Sequence, residues 1–328
     1  MTNLVAIYAR LTSHPYQAWY AIPLRLIVGF GFMEHGYAKI ARGPEKYASI
    51  LHALGVPAPD LLTWATILVE LFGGLAVFLG AFIPLACIPY WDIGDAVREV
   101  ERCAEAGHKG VIMTAAPELH GQPVFGHAHW DPLWAAVQAH DLPVSFHIAT
   151  GDPMANFPPE RVEIEGAATS MARGSCLTFV DNCKFMINLM FSGVLPKYPG
   201  LRFITVESGI SWIPFALDSA DYMFSKAQGW RENPEFEMLP SEYFRRQVWA
   251  NYWFERIEDH HIERIGADRI LFETDFPHPC CLVGDEIDNA IERTLHTQPA
   301  EVRERILWRN AAELFNRTDL LEAAVASQ

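Results

Sequence analysis

Two long apolar stretches lie within residues 19–90, and a polar, proline-containing loop separates them. The second stretch, residues 61–90, carries one charge, Glu70. It is longer than the roughly 20 residues that a helix needs to cross a bilayer, whereas Arg25 and Glu34 interrupt the first stretch, residues 19–41. The pattern predicts an all-α, membrane-like helical hairpin over residues 1–82. A hydrophobic hairpin in a soluble protein is the alternative.

From residue 83 the pattern changes to short apolar runs separated by amphipathic segments. Such alternation predicts βα units around a parallel sheet. We expect strands near residues 84–89, 110–114, 143–148, 202–207, 248–254 and 269–275. These are about two units short of the eight in a closed barrel. The predicted fold class is therefore α/β, an incomplete TIM (β/α) barrel over residues 83–328 that follows the helical hairpin.

The charge is divided unevenly between these two parts. Residues 1–82 contain five basic and four acidic side chains, which leaves 20 basic and 36 acidic side chains for the rest. An acidic second part argues against binding to nucleic acid or to an anionic membrane surface. It is typical of a soluble enzyme, for which we expect a small-molecule substrate.

The six cysteines form no C-x-x-C pair and no regular spacing. A disulfide framework or a cysteine zinc site is therefore not expected. We expect most of the cysteines to be reduced thiols in the core.

Three of the predicted strands end in ionisable residues, namely His147, Glu207 and Asp275. The carboxyl ends of parallel barrel strands meet at one rim, so we expect these side chains to lie together. Alternation along a strand places Thr205 and Glu207 on the same face. A histidine and an aspartate suit zinc or a similar divalent ion, and the glutamate suits a base or a further ligand. The alternative is a structural histidine and an acid that caps a turn.

Five other histidines are candidates for the site. His278 follows Asp275 closely and is expected either to hydrogen-bond substrate or to order the turn. The segment "GHAHW" gives His127 and His129 the spacing of a ligand pair, but it has the character of a loop, so we do not expect it to bind the metal. His260 and His261 are expected on a helix surface.

Several blocks of the second part resemble the amidohydrolase-related family that includes aminocarboxymuconate-semialdehyde decarboxylase. They include "WDPLWAAVQAHDLPVSFHIATGD", "YPGLRFITVESGISWIPFALDSADYMF" and "RILFETDFPHP", and the resemblance runs from about residue 83 to about 316. It implies a metal-dependent TIM barrel, usually with zinc, that hydrolyses or decarboxylates small organic acids. It also implies that His147 and Asp275 bind the metal.

The chain departs from that family in two places. Glu207 stands where many members have a catalytic histidine. The ligand pair of the family's first strand has no counterpart before residue 83. We therefore expect weak metal binding and low or absent activity, unless a partner chain or the loop histidines complete the site.

The first part resembles the first two segments of the DoxX family of small four-helix membrane proteins. The blocks are "RLIVGFGFMEHGYAKI", "LHALGVPAP" and "ELFGGLAVFLGAF". The resemblance implies membrane association through residues 19–90. Within lipid, Glu34 and Glu70 would be functional candidates, or they would face a partner helix.

The sequence thus predicts a metal-dependent hydrolase or decarboxylase that acts on a small organic acid or carbonyl substrate. Asp275 would coordinate the ion or orient the nucleophile, and Glu207 or His278 would move the proton. The alternatives are a DoxX-like membrane protein with a non-catalytic C-terminal domain, and an inactive fusion of two gene fragments. A barrel that lacks two strands exposes two unpaired edges, which favours either the inactive fusion or a homo-oligomer that completes the barrel. We expect a membrane-associated protein with a cytoplasmic C-terminal domain, or otherwise a cytoplasmic protein.

Overall fold

The computed structural model describes residues 21–53, 58–75, 85–275, 278 and 280–326. The chain divides into two compact units, Met1–Pro84 and Leu85–Gln328.

The first unit consists of helices. They are α1 (Ala21–Arg42), α2 (Pro44–Ala53) and α3 (Pro59–Leu68), and α3 continues into a π-helical turn, Val69–Gly73. Helix α1 approaches this turn closely at Gly36, where an added Cβ would lie 2.9 Å from the Leu71 side chain. Lys39 Nζ donates to Glu70 Oε1 at 2.5 Å. Glu70 is therefore paired within the unit, while Glu34 is exposed.

The second predicted apolar span does not form one helix. Residues 76–84 lie outside the described residues, and Leu85–Cys87 is a β-strand. The prediction of a continuous span over residues 61–90 is therefore wrong at residues 85–87, because their backbone pairs with Gly110–Ile112. Among the described residues, the helices lack the combination of length and apolarity that crossing a membrane requires.

The second unit is built on a parallel sheet of six strands in chain order. The strands are β1 (Leu85–Cys87), β2 (Gly110–Ile112), β3 (Val144–His147), β4 (Phe203–Val206), β5 (Val248–Tyr252) and β6 (Ile270–Phe272). Chain order without reversal is the winding of a barrel, whereas a doubly wound sheet reverses. The prediction of an α/β fold with six parallel strands is confirmed. Within the described residues, β1 and β6 are the sheet edges.

Helices connect and follow the strands. They are α4 (Ile93–Glu105), α5 (Asp131–Ala139), α6 (Pro159–Glu165), α7 (Ala167–Phe191), α8 (Val194–Lys197), α9 (Ile213–Ala227), α10 (Pro240–Gln247), α11 (Asp259–Ile265), α12 (Asp285–Leu295), α13 (Ala300–Glu304), α14 (Asn310–Leu314) and α15 (Thr318–Ala326). Short 3-10 turns span Pro117–His120, Ala128–Trp130, Pro153–Asn156, Gly229–Arg231 and Ala267–Arg269, and Arg305–Arg309 is π-helical.

Helix α4 shows how the sequence pattern becomes structure. The Asp92 side chain accepts a hydrogen bond from Asp95 N at 2.9 Å, which caps the first turn. Ala96, Val100 and Cys103 are buried and recur at spacings of four and three. The helix therefore packs one apolar face against the sheet, as its sequence predicts.

The two faces of the sheet differ in what covers them. The main core holds Phe146, which stacks on both Phe125 and Phe203 with ring centroids 5.5 Å apart. Ile204 and Leu271 belong to a separate, smaller cluster. Because side chains alternate along a strand, His147 points away from the face that carries Phe146. Because Phe146 packs in the main core, His147 at the end of the same strand lies on the opposite face of the sheet.

Candidate metal centre at the strand ends

His147 is the last residue of β3 and contacts the end of β4. Its Nδ1 donates to Ile148 O at 2.8 Å, and its Nε2 lies 2.7 Å from Glu207 Oε1. The hydrogen bond to Glu207 raises the pKa of His147 against the opposing effect of burial. A metal-binding histidine commonly holds its second ring N–H on a backbone carbonyl in this way. The Nδ1 contact therefore fits a ring whose Nε2 binds a cation.

Glu207 follows β4 in a left-handed backbone conformation, with φ of 59°. The prediction that Thr205 and Glu207 share a strand face is wrong. Asn182 of α7 donates to Thr205 Oγ1 at 3.0 Å on the helix side, whereas Glu207 meets His147. Strand alternation ends at Val206, and the left-handed residue turns the carboxylate toward His147.

The carboxylate of Glu207 is stabilised in its ionised form. Burial alone would raise the pKa of Glu207, but the hydrogen bond from His147 and the charges of His147 and His278 outweigh burial and lower it. The side chain is 13% exposed. Glu207 therefore presents negative charge at a largely buried position.

Asp275 follows β6 and also has φ of 59°. Its side chain is 4% exposed, and burial raises its pKa. His278 Nδ1 donates to Asp275 Oδ1 at 2.7 Å, and Cys280 Sγ donates to Oδ2 at 3.3 Å. His278 N also donates to Asp275 O at 2.9 Å, so both the backbone and the imidazole of His278 contact Asp275.

These residues converge at one rim. Single ligand atoms of Glu207, Asp275 and His278 lie within 4.8 Å of one another. His147 is not in that group, but it joins the rim through its contact with Glu207. Ligands about 2.0–2.2 Å from an ion in a tetrahedral site lie about 3.4 Å apart, so this donor set would have to draw closer together to hold a divalent cation. The site residues proposed from the sequence are thus neighbours.

A second carboxylate, that of Glu273, accepts a hydrogen bond from the backbone of Glu207. Glu207 N donates to Glu273 Oε1 at 3.0 Å, and Asn251 Nδ2 donates to Glu273 Oε2 at 2.5 Å. Burial raises the pKa of Glu273 to about 8. The sequence analysis assigned no role to Glu273. Its position two residues before Asp275 was the available signal.

A third carboxylate orders the loop that follows Glu207. Glu255 accepts hydrogen bonds from Ile210 N at 2.9 Å and from Ser211 N at 2.8 Å. Gly209 has φ of 66°, and a Cβ there would lie 2.5 Å from the Glu255 carboxyl carbon. Glu255 therefore occupies the space that only glycine leaves open. Nothing in the local sequence predicts this contact.

The other candidate histidines lie outside this cluster of ligand atoms. His127 precedes the 3-10 turn Ala128–Trp130, and its Nδ1 accepts from His129 N at 3.0 Å. The sequence analysis expected a loop at this segment, and the segment indeed forms no strand. His260 and His261 lie in α11, where His260 is exposed and His261 Nδ1 accepts from Glu258 N.

All six cysteines are free thiols. The expectation that most of them lie in the core is wrong, because only Cys103 is buried while Cys87, Cys176 and Cys280 are exposed. Cys87 lies in the edge strand β1, and Cys280 lies on the turn after Asp275.

Two family models match the chain. One, described as Amidohydrolase, matches residues 76–317, and the other, described as DoxX, matches residues 21–90. Because the first match covers well over half of the chain, the protein belongs to the amidohydrolase family. The resemblances seen in the sequence are therefore confirmed.

The curated relatives include decarboxylases. The chain is 29% identical over 244 residues to a gamma-resorcylate decarboxylase from Polaromonas sp. strain JS666, with 71% of this chain and 70% of the relative covered. It is 26% identical over 241 residues to a gamma-resorcylate decarboxylase from Rhizobium sp. strain MTP-10005, with the same coverage.

Solved structures of this fold include an amidohydrolase from Mycobacterium avium subsp. paratuberculosis, with a TM-score of 0.59 and 20% identity. That comparison covers 78% of this chain and 65% of the other, so this chain spans just under two thirds of its length. A 5-carboxyvanillate decarboxylase from Sphingomonas paucimobilis has a TM-score of 0.55 at 20% identity, with 86% and 74% covered. At these identities, the two structures show the fold alone.

A dihydroxybenzoic acid decarboxylase from Polaromonas sp. JS666 is 25% identical, with a TM-score of 0.50 and coverage of 70% and 67%. Its structure holds manganese and the inhibitor 2-nitroresorcinol.

Proposed function

We propose that the unit Leu85–Gln328 is a metal-dependent decarboxylase of hydroxylated aromatic acids. The observation that carries the proposal is the convergence of Glu207, Asp275 and His278 within 4.8 Å, with His147 in contact with Glu207. The relatives named as gamma-resorcylate and dihydroxybenzoic acid decarboxylases support decarboxylation over hydrolysis. An aromatic acid with hydroxyl groups next to its carboxylate is therefore the substrate class to test first.

Glu207 and Asp275, together with His147, which contacts Glu207, would hold a divalent ion at this rim, and His278 would stay off the ion to move the proton. The resemblance implies zinc, but two carboxylates among three donors also suit manganese, which the dihydroxybenzoic acid decarboxylase binds. Bound there, the ion would supply the positive charge that holds an anionic substrate. Since the ligand pair of the family's first strand has no counterpart in the sequence, we expect binding to need excess metal.

The reaction replaces a carboxylate with a proton. The bond between the ring carbon and the carboxylate breaks, CO₂ leaves, and the same ring carbon gains a proton. We assign the proton transfer to His278. Its side chain is 54% exposed, and its Nδ1 contacts the buried Asp275 carboxylate, so it connects the rim to solvent. Glu207 and Asp275 keep the adjacent surface anionic.

Two substitutions separate metal binding from proton transfer. Asp275→Asn should lose both bound manganese and CO₂ release from 2,6-dihydroxybenzoate, because it removes a charged ligand. His278→Gln should keep manganese and lower turnover by about 10²- to 10⁴-fold, the usual contribution of a positioned acid or base. Metal content and CO₂ release of the full chain measure the two effects.

Asp288→Asn is the matched control, because Asp288 is an exposed acid of α12. It should change neither quantity. A full chain that binds manganese but releases no CO₂ from hydroxybenzoates would contradict the proposed activity and favour a non-catalytic domain. A chain whose manganese content is unaffected by Asp275→Asn would contradict the proposed site.

A further inference from the structure

Helices α1 and α2 of the first unit line a recess with basic side chains. Its volume is about 380 Å³, and its wall includes His35, Lys39, Arg42 and Lys46 together with the ring of Tyr47. Among the described residues, no acidic side chain belongs to this wall. A concave site of this size with several cations on its wall suits a small anionic group.

Lys39 is neutralised inside the unit, whereas its basic neighbours are not. Its Nζ donates to Glu70 Oε1 and Oε2 at 2.5 and 2.6 Å, and it lies 4.9 Å from the centroid of the Tyr47 ring. In the part of the chain that the structure describes, Arg42 and Lys46 form no ion pair, and both are exposed. Their positive charge is therefore free to attract an anionic ligand.

The stability of its own helix does not explain the position of Lys46. Helix α2 begins at Pro44, so Lys46 lies in its first turn. A positive charge there opposes the helix dipole, which favours cations at the other end of a helix. Lys39 and Arg42, by contrast, lie in the last turn of α1, where the dipole favours them. An external anion accounts for Lys46 better than helix stability does.

One carboxylate lies beside the recess. Gly43 has φ of 96°, and a Cβ added there would collide with the Glu45 carboxylate. This carboxylate therefore lies over Gly43, which is part of the wall. Within the described ranges, Glu45 pairs with neither Arg42 nor Lys46. Its negative charge thus opposes an incoming anion, and its removal should strengthen anion binding.

The two faces of α1 favour a lipid over a free anion. His35, Lys39 and Arg42 recur at spacings of four and three, which places them on one face. Tyr37 and Ile40 lie on the opposite face and are 64% and 40% exposed. A helix with basic side chains on one face and large apolar side chains on the other is typical of the membrane–water interface. At that depth, basic side chains meet the phosphates of lipid headgroups.

We propose that this recess binds the phosphate of an anionic phospholipid headgroup. The phosphate would neutralise Arg42 and Lys46 and would lie at the positive end of the α2 dipole. Lys39 stays paired with Glu70 and holds the wall in place. This inference is independent of the proposed decarboxylase function, because all of these residues belong to the first unit.

Vesicles of two compositions test the proposal. The full chain is mixed either with phosphatidylcholine vesicles or with vesicles that also contain phosphatidylglycerol, and bound protein is measured by co-sedimentation. Phosphatidylglycerol should tighten binding several-fold. Arg42→Gln and Lys46→Gln should each weaken binding to the mixed vesicles by about five-fold. Glu45→Gln should bind them more tightly than the wild type, an outcome that a destabilised unit would not give.

Lys226→Gln is the matched control, since it removes the same charge from an exposed lysine in the second unit. Lys226 Nζ also lies over a tyrosine ring, 5.5 Å from the centroid of Tyr222. This variant should bind like the wild type. Far-ultraviolet circular dichroism of each variant checks that its helices form.

Three results would overturn the proposal. The first is a wild-type chain that binds both kinds of vesicle equally. The second is an equal loss of binding in Lys226→Gln and Lys46→Gln, which would show a general effect of charge. The third comes from calorimetry with inorganic phosphate. Phosphate binding that Lys46→Gln abolishes, in a chain without preference for phosphatidylglycerol, would assign the recess to a soluble anion instead of a lipid.

Discussion

Glu207 and Asp275 share a backbone conformation that is uncommon outside glycine, since each has φ of 59° directly after a strand. A left-handed residue of this kind costs roughly 1–2 kcal/mol. Both residues are assigned to the metal, so the strained positions and the proposed chemistry coincide. Glu273 and Glu255 hold the turn around Glu207 through backbone N–H groups. The direction of the Glu207 carboxylate thus depends on its neighbours.

Gly209→Ala tests how the Glu207 turn is held. The added Cβ would meet the Glu255 carboxylate, which would have to leave Ile210 N and Ser211 N. We expect a loss of about 2–4 kcal/mol in the free energy of unfolding, from the left-handed backbone and the lost hydrogen bonds together. Denaturant unfolding measures the loss, and metal affinity should fall as well.

Gly107→Ala is the control for the backbone contribution alone. Gly107 has φ of 78°, and an added Cβ there would meet no atom within 4 Å. We expect a loss of about 1–2 kcal/mol with unchanged metal affinity. Equal losses in the two variants would show that Glu255 does not restrain the turn.

At the scale of single residues, the sequence identified several residues of the site but did not predict the direction in which each side chain points. His147 and Asp275 were identifiable because each ends an apolar strand. The turn of Glu207 away from strand alternation was not, since a positive φ at a glutamate leaves no sequence signal. Glu255 was also missed, because its partners lie 44 and 45 residues away in the chain.

Helix α7 is tied to the ends of β3 and β4 by one buried side chain. Asn182 Nδ2 donates to Thr205 Oγ1 at 3.0 Å and lies 3.4 Å from both Phe146 O and Val206 O. Phe146 and Val206 directly precede His147 and Glu207. The asparagine therefore links the helix to both strands at the points where the proposed ligands emerge.

Asn182→Ala should weaken both the fold and the metal site. Removing a buried side chain that donates these hydrogen bonds should cost about 1–3 kcal/mol in the free energy of unfolding. Because the ends of β3 and β4 lose a common partner, cobalt affinity should fall by about 10-fold. Denaturant unfolding and cobalt titration of the same sample measure the two effects.

Asn310→Ala is the matched control. Asn310 is also buried, and its Nδ2 donates to Ala267 O at 2.7 Å and to Ile270 O at 2.8 Å, at the start of β6. It should lose similar stability but keep its cobalt affinity. If both variants lose affinity equally, the effect on the site reflects general destabilisation.

The elements were predictable where apolar runs were short and bounded. All six strands form within the predicted ranges, although each is shorter than predicted, as at β6, where the strand ends at Phe272. Residues 85–87 were ambiguous, because they belonged both to a predicted strand and to a predicted membrane span. Periodicity does not separate a buried strand from a buried helix in such a run. Pairing with β2 decides the outcome, and that contact is not local.

At the scale of the whole molecule, the first unit has an exposed apolar surface on α3, whereas the second unit holds the proposed metal site. Helix α3 buries Thr63 and Ile67 but leaves a stripe of large apolar side chains exposed at helical spacing. Leu61 is 70% exposed, Trp64 50% and Leu68 48%. A contiguous apolar surface of this kind on a folded unit marks a place where another apolar phase or surface binds.

We propose that this stripe binds the lipid bilayer, which agrees with the match of residues 21–90 to the DoxX model. The full chain mixed with phosphatidylcholine vesicles should float with them in a density gradient. The double variant Leu61→Lys with Trp64→Lys should float several-fold less, because each lysine places a charge where the stripe meets hydrocarbon. Phe215→Lys, at a 74% exposed position in the second unit, should float like the wild type.

Vesicles that leave the wild-type chain at the bottom of the gradient would contradict lipid binding. Equal loss of flotation in Phe215→Lys would place the binding surface elsewhere.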